Sequence, residues 1–295
     1  MNILLGIFCV VLFSLTVPFT RIAALEVAPE MVAVSRLFIA GLICLALIMR
    51  DRWIPPREIW RPLLLTSFGA VLGFGSLMAF ALHLVPGSHG ALALAALPAA
   101  TAAYACLRDR INPGSQFWLF AIVGTLLSFS FFFFSSSGKF SSGDLLLGLA
   151  VISAAFGYVE GARLSRHYGG IRVMSWAVFL TLPITFLIIV SMNFGELGNI
   201  YRPQLQNLSA IGWLSLAYLA LISQSGGMFL WYHALAKGPM EKIAMTQLLQ
   251  PFFTLLAAIF LLREHIHPAA WLIALLVGLC VVGANRAKGN SQKTA

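Results

Sequence analysis

The stretch Met228-Phe-Leu-Trp-Tyr-His233 has a weaker copy earlier in the chain, Met78-Ala-Phe-Ala-Leu-His83. After each copy come a proline, a basic–acidic pair and a second proline, in the same order. These are Pro98, Arg108-Asp109 and Pro113 after the first copy, and Pro251, Arg263-Glu264 and Pro268 after the second. The shared order predicts that the chain consists of two related halves.

The sequence around both copies falls into apolar runs of about 20 residues, the length that a helix needs to cross a bilayer. The runs cover residues 2–20, 31–49, 62–83, 89–107, 116–134, 144–162, 173–192, 209–235, 243–262 and 268–286. Runs of this length predict helices, because a helix satisfies its backbone polar groups internally. We therefore predict an all-α integral membrane protein with ten transmembrane helices.

Five helices in each half is an odd number, so the second half enters the membrane upside down relative to the first. The prediction is two inverted five-helix repeats, residues 1–138 and 139–287, followed by a cytoplasmic tail at 288–295. Two pairs of glycines four residues apart, Gly69/Gly73 and Gly157/Gly161, predict close helix packing.

The composition agrees with a lipid environment. Of the 295 residues, 60% are hydrophobic and 10% are charged, whereas soluble proteins average about 25% charged residues. The net charge of +9 does not indicate nucleic-acid binding, because the basic residues lie in short loops and form no stripe. The four cysteines lie apart inside apolar runs, and we predict no metal site and no cofactor.

The distribution of Lys and Arg predicts the orientation. With a cytoplasmic N-terminus, 14 of these residues lie in inner loops or the C-terminal tail and 4 lie in outer loops, namely Arg21, Lys139, Arg202 and Arg263. This asymmetry follows the positive-inside rule. It predicts a multi-pass protein of a bacterial-type inner membrane with both termini in the cytoplasm.

These residues resemble a known family. The segment Pro251-Phe-Phe-Thr-Leu-Leu-Ala-Ala-Ile-Phe-Leu-Leu-Arg-Glu264, followed by Gly278 and Gly283, is similar to the end of the drug/metabolite transporter superfamily in its EamA-like branch. Pro29 to Arg36 and Asp144 to Tyr158 resemble the starts of its second helix and its second repeat. Phe13-Ser14 and Asp109 depart from the family pattern. The resemblance implies ten helices, a central cavity, no ATP hydrolysis, and export of amino acids, other metabolites or drugs.

Polar side chains at membrane depth are costly and need a reason. The candidates for a substrate cavity are Ser14, Arg36, Tyr218, Gln224, Trp231, Tyr232, Gln247 and Gln250. Arg36 is either a structural anchor or a residue that faces an anion. Gln247 and Gln250 share a helical face, and they either line a cavity or bond between helices. The matching stretch 93–97 has no polar side chain, so recognition is predicted to depend mainly on the second half.

Three prolines and three titratable residues complete the candidates. Pro18, Pro98 and Pro251 are predicted to kink or gate their helices, since proline removes a backbone hydrogen bond. Glu160, His83 and His233 are candidates for proton coupling. For Glu160, an ion pair with Arg163, three residues along the helix, is the structural alternative.

The sequence thus predicts a secondary transporter that exports small metabolites and works by alternating access in the lipid bilayer. Its partners are a small-molecule substrate and, as a candidate coupling ion, the proton; monomer and homodimer both remain open. Two alternatives are a membrane-embedded enzyme that modifies lipids and a non-transporting membrane subunit. The first would need catalytic groups clustered near one face, and the sequence offers scattered acids and histidines.

Overall fold

We describe the protein from a computed structural model that covers residues 2–109, 114–135, 141–237, 243, 245–263 and 268–286. The elements found there are helical. In the first half, α1 covers residues 2–26 as Asn2–Ser14 and Thr16–Glu26, α2 is Pro29–Asp51, α3 is Arg57–Leu84, α4 covers 87–109 as Gly87–Ala95 and Leu97–Asp109, and α5 is Ser115–Ser135. In the second half, α6 is Ser142–Tyr168, α7 is Gly170–Asn193, α8 is Gly195–Gln206, α9 is Ala210–Lys237, α10 covers 245–262, and α11 is Pro268–Arg286.

The predicted apolar runs all fall on helices. Within the described residues, six helices are long and apolar enough to cross a bilayer: α2, α3, α6, α7, α9 and most of α1. Shorter apolar stretches lie in α5, α10 and α11. Large hydrophobic side chains on the outside, such as Leu126, Leu187 and Phe260, are 61%, 66% and 77% exposed. A surface of this kind needs lipid as its solvent, so the protein is a multi-pass membrane protein.

Helix α8 is an element that the sequence did not lead us to expect. It follows α7 directly, and its sequence is polar, with Pro203 inside it. The Tyr201 hydroxyl donates to Glu30 Oε1 over 2.6 Å, and Gln204 Oε1 accepts from the backbone N–H of Ala28 over 2.8 Å. Helix α8 therefore holds the turn between α1 and α2 and satisfies one of its free backbone donors.

The helices of the two halves interlock. Helix α1 packs against α9 and α10, while α6 packs against α3 and α4. Helices α2 and α7 contact each other, as do α5 and α11. Exchanging the two halves leaves this pattern unchanged when the polar helix α8 is left out, because the first apolar helix of each half packs on the third and fourth apolar helices of the other.

The glycine pairs lie at the seam between α3 and α6. A Cβ built on Gly69 would lie 2.7 Å from the carbonyl oxygen of Ser153, and a Cβ on Gly157 would overlap the backbone nitrogen of Ala70. A Cβ on Gly161 would lie 2.8 Å from Thr66 Cγ2. The close packing predicted from the glycine spacing is confirmed, and it brings the backbones of the two halves into direct contact.

Several helices depart from regular α geometry near mid-length. Helices α1 and α4 are interrupted at Leu15 and Ala96. Helices α3 and α9 widen to π-helix over Ser67–Gly73 and Tyr218–Gly227. Helix α10 begins as a 3₁₀ turn, Met245–Leu249, and continues as an α-helix over Gln250–Leu262.

The three predicted prolines lie beside these interruptions. Pro18 follows Leu15 within one turn, Pro98 follows Ala96, and Pro251 opens the α-helical part of α10. Proline has no N–H for the preceding turn, so each leaves a carbonyl without its usual helical partner. The structure shows where the backbone is interrupted, and a gating role for these prolines stays a prediction.

Candidate substrate cavity

A cavity lies at mid-length of the helices, where the two halves meet. The cavity is small: its volume is about 20 Å³, which is room for about one water molecule. Seven helices contribute: Phe13, Thr16 and Val17 from α1, Arg36 from α2, Ala70, Phe74 and Met78 from α3, Leu94 and Leu97 from α4, Tyr158 from α6, Ser223, Gln224 and Met228 from α9, and Gln250 from α10.

The irregular backbone lies next to this cavity. Phe13 and Thr16 flank the interruption at Leu15, and Leu94 and Leu97 flank the one at Ala96. Ala70, Ser223 and Gln224 belong to the two π segments, and Gln250 follows the 3₁₀ turn. Backbone that is not regular helix is tolerated at membrane depth where it is buried in protein or lines a cavity. Interrupted helices are also typical of the binding sites of secondary transporters.

Arg36 brings a cation into this cavity. It lies roughly 10 Å along α2 from Pro29 at 1.5 Å per residue, and it is 3% exposed. Its guanidinium lies beside Gly75, whose missing side chain leaves room for it; a Cβ there would be 3.6 Å from Nη1. Among the described residues that line the cavity, Arg36 alone carries a formal charge.

The hydrogen bonding of Arg36 is incomplete. Its Nη2 donates to Gln224 Oε1 over 2.7 Å. Nε and Nη1 have no partner among the described residues, and neither has Gln224 Nε2. A buried donor left unpaired costs about 1–3 kcal/mol, and more when it is charged. Retaining several of them in one place indicates a site built for a ligand, since structural arginines usually satisfy their donors.

Other polar groups adjoin this pair. The hydroxyls of Thr16 and Ser223 lie 2.9 Å apart, which joins α1 to α9. Gln250 Nε2 donates to the Phe13 carbonyl oxygen at the long distance of 3.5 Å. The Tyr158 ring meets the ring of Tyr232 edge-on, with the centroids 6.3 Å apart. The polar lining is therefore concentrated where α1, α2, α6, α9 and α10 meet.

Comparison with known proteins identifies the chain. It matches the EamA-like transporter family over residues 1–134 and 141–286. The chain belongs to the EamA-like transporter family. This confirms the resemblance inferred from the sequence and makes the protein a membrane transporter.

Two relatives support the assignment. This EamA-like chain is 36% identical over 286 residues to a Bacillus subtilis (strain 168) protein described as the uncharacterized transporter YdeK, and the match covers 95% of this chain and 96% of the other. A solved crystal structure with 15% sequence identity matches it with a TM-score of 0.67, over 96% of each chain. The structural likeness shows a shared fold.

The structure places three of the predicted cavity residues of this EamA-like protein on the cavity: Arg36, Gln224 and Gln250. The other five pack beside it. The Ser14 hydroxyl donates to the Val10 carbonyl oxygen over 2.7 Å, and the Tyr218 hydroxyl donates to the Leu12 carbonyl oxygen over 2.7 Å. Both hydroxyls thus satisfy carbonyls of α1 next to its interruption.

The aromatic candidates on α9 pack between helices. Trp231 meets Phe13 edge-on with the ring centroids 6.1 Å apart, and the Tyr232 hydroxyl donates to the Gly157 carbonyl oxygen over 3.3 Å. Gln247 is buried near Tyr158, and its Nε2 has no partner among the described residues. These side chains pack behind the lining residues and are not part of the cavity surface that was predicted for them.

Tyr158, Thr16 and Ser223 line the cavity, although they are not among the residues predicted to do so. Tyr158 directly follows Gly157, and Gly157 contacts α3 where the two halves are closely packed. A polar aromatic residue next to a predicted close helix contact was the signal that could have identified Tyr158. Thr16 and Ser223 gave weaker signals, since hydroxyls in membrane helices usually bond to their own backbone.

The candidates for proton coupling are not among the described lining residues. Glu160 is 2% exposed, and its Oε1 accepts from Arg108 Nε over 2.8 Å and from the Tyr104 hydroxyl over 3.0 Å. Both partners lie on α4, and the ion pair with Arg163 considered from the sequence stays a prediction. His83 is exposed at the end of α3 with Nδ1 2.6 Å from the Ala24 carbonyl oxygen. His233 is half-buried, and its backbone packs against Gly170.

A second polar contact joins α4 to α6 near their first turns. His89 Nδ1 lies 3.0 Å from Asp144 Oδ1, and both side chains are buried. The other oxygen of Asp144 accepts from the backbone N–H of Ser141 over 3.0 Å. The α4–α6 seam thus has the Arg108–Glu160 ion pair on one side of the lining residues Leu94, Leu97 and Tyr158, and the His89–Asp144 hydrogen bond on the other.

Proposed function

We propose that this protein is a secondary transporter that moves a small metabolite out of the cell by alternating access around the cavity. The observation that carries the proposal is the ring of interrupted, π-helical and 3₁₀ backbone around a partly polar cavity at the seam of the two halves. Helices that are irregular near their middle can bend at those points, so the cavity has several built-in points of movement.

The proposal includes two inverted five-helix repeats and ten membrane crossings. The exchange symmetry of the helix contacts supports it. Rocking of one half against the other is the usual way in which inverted repeats alternate access. The backbone contact at Gly69 and Gly157 would serve as a pivot, because close-packed small residues leave little freedom to separate.

The Arg108–Glu160 and His89–Asp144 contacts between α4 and α6 would hold the two ends of the cavity closed. With cytoplasmic termini, as the 14 inner and 4 outer basic residues support, Arg108–Glu160 lies toward the cytoplasm and His89–Asp144 toward the outside. Separating Arg108 from Glu160 would leave a buried carboxylate without its partner, which is costly. Each contact would therefore open only when other interactions compensate.

The substrates implied by the family resemblance are amino acids and other metabolites. An export screen is the first test. Cells that overproduce the protein should release at least one metabolite faster than cells that produce Gln250→Leu, a variant that removes a lining amide and keeps an apolar helix. Equal amounts of both proteins in the membrane are the control for insertion.

Reconstitution then separates transport from the alternatives. Proteoliposomes holding this protein alone should release the metabolite found in the screen, and the same vesicles without protein should retain it. Conversion of a labelled lipid without solute flux would contradict the proposal and favour an enzyme.

A further inference from the structure

We infer that the cavity binds its solute through a carboxylate group and that Arg36 holds that group. The inference rests on the proposed function and names the class of substrate. It begins from a guanidinium that is 3% exposed, carries one hydrogen bond, to Gln224, and has two nitrogens without partners among the described residues.

The atoms of this site that lack a hydrogen-bond partner are all N–H donors. They are Arg36 Nε, Arg36 Nη1 and Gln224 Nε2. The Tyr158 hydroxyl on the same lining can donate as well. A ligand that completes the hydrogen bonding must therefore present acceptors, and a negative charge on them would also neutralise the buried cation.

The shape of the guanidinium selects a planar pair of oxygens. Nη2 carries two N–H groups, and the bond to Gln224 uses one of them. The remaining N–H of Nη2 and an N–H of a neighbouring unpaired nitrogen form a fork that matches the two oxygens of a carboxylate. Gln224 holds the guanidinium from one side through Oε1, and Nε2 of the same amide is a further donor without a partner among the described residues.

The rest of the lining indicates what the carboxylate is attached to. Val17, Phe74, Met78, Leu94 and Leu97 form an apolar wall, which gains by contact with hydrocarbon and cannot hydrate an inorganic anion. No carboxylate is found among the described lining residues to pair with an ammonium group. The site therefore suits monocarboxylates with an apolar body, such as oxo acids, better than zwitterionic amino acids.

The test uses the purified full-length protein and matched probes. Pyruvate, butyrate, hexanoate and phenylpyruvate are each compared with the corresponding amide, and binding is followed by the shift in melting temperature over a concentration series. We expect at least one carboxylate in this size series to stabilise the protein at about tenfold lower concentration than its amide. Arg36→Gln should abolish the difference. Arg172→Gln should preserve it, because Arg172 is exposed and pairs with Asp51 at the end of α2.

A second variant keeps the test valid if Arg36→Gln does not fold. Gln224→Glu has nearly the same shape and supplies Arg36 with an internal carboxylate, so the folded protein should lose carboxylate binding by about tenfold or more. The inference is wrong if carboxylates and amides stabilise the wild type equally, or if either variant keeps the carboxylate preference.

The two proposals fail in different ways. Carboxylate binding that depends on Arg36, without flux of any bound carboxylate through proteoliposomes, would leave the site standing and contradict the transport proposal. Flux of a neutral or cationic solute that is unchanged in Arg36→Gln would support transport and overturn the carboxylate site.

Discussion

The two halves of the chain contribute different kinds of side chain to one cavity. The first half contributes nine lining residues, and seven of them are apolar; Thr16 and Arg36 are the exceptions. The second half contributes five, and four of them, Tyr158, Ser223, Gln224 and Gln250, are polar. The halves share their packing pattern, yet their cavity faces differ. The difference shows that one shared packing pattern can carry two unlike sets of cavity side chains.

The contact that joins the two halves gives the largest expected effect. Gly157→Val adds a branched side chain where even a Cβ would overlap the backbone of Ala70. Overpacking of this kind costs about 1–3 kcal/mol and occasionally more, and here the obstructing atoms are backbone. We expect little or no folded protein after detergent extraction, measured by size-exclusion chromatography.

Gly148→Ala is the matched control for this substitution. It lies on the same helix, and a Cβ there meets no atom within 4 Å. Its folded yield should equal that of the wild type. Normal yield of Gly157→Val would mean that α3 and α6 are not closely packed at Gly157. The shared packing of the two halves, from which the comparison starts, would then be wrong.

Removing a polar side chain that the second half contributes to the cavity should have the next largest effect. Gln224→Leu deletes the acceptor of the hydrogen bond from Arg36, and bonds to charged groups are worth about 1.5–3 kcal/mol. We expect solute flux to fall at least tenfold, with folded yield largely kept. Met228→Leu, on the same helix and the same cavity, is the control and should stay near wild-type flux.

Widening the apolar wall should have the smallest effect. Phe74→Leu on α3 removes part of a ring from the lining while leaving an apolar surface. We expect flux of the same solute to change less than about threefold, with the preference shifting toward bulkier analogues, as small volume changes in hydrophobic pockets give modest discrimination. Phe80→Leu, an exposed position of the same helix, should leave the preference unchanged. A tenfold loss of flux in Phe74→Leu would show that the cavity residues of both halves recognise the solute equally.

The sequence predicted the helices well, because long apolar runs can satisfy their backbone in lipid in few other ways. Helix α8 was missed because its residues are polar and include Pro203, a composition that usually marks a loop. The π segments were also missed: widening a helix by one residue per turn leaves an apolar run unchanged.

The site was predicted only in part, for a physical reason. Polarity alone selected Arg36, Gln224 and Gln250, which line the cavity, and equally Tyr218 and Tyr232, whose hydroxyls bond to backbone carbonyls of neighbouring helices. The contacts that distinguish these cases join distant parts of the chain. The bond from Arg36 to Gln224 spans 188 residues, and the one from Arg108 to Glu160 spans 52, so local spacing carries no sign of them.

Alternating access through the seam cavity is tested most directly by the accessibility of a single thiol. Met228→Cys, in a chain whose four native cysteines are replaced by alanine, places the thiol on the cavity wall; Leu126→Cys, on the exposed apolar surface of α5, is the control. We predict that a charged, membrane-impermeant thiol reagent labels residue 228 from either side of the membrane, that transported solute slows the labelling, and that residue 126 is not labelled. Labelling of residue 228 from one side alone under every condition, or from neither, would contradict the account.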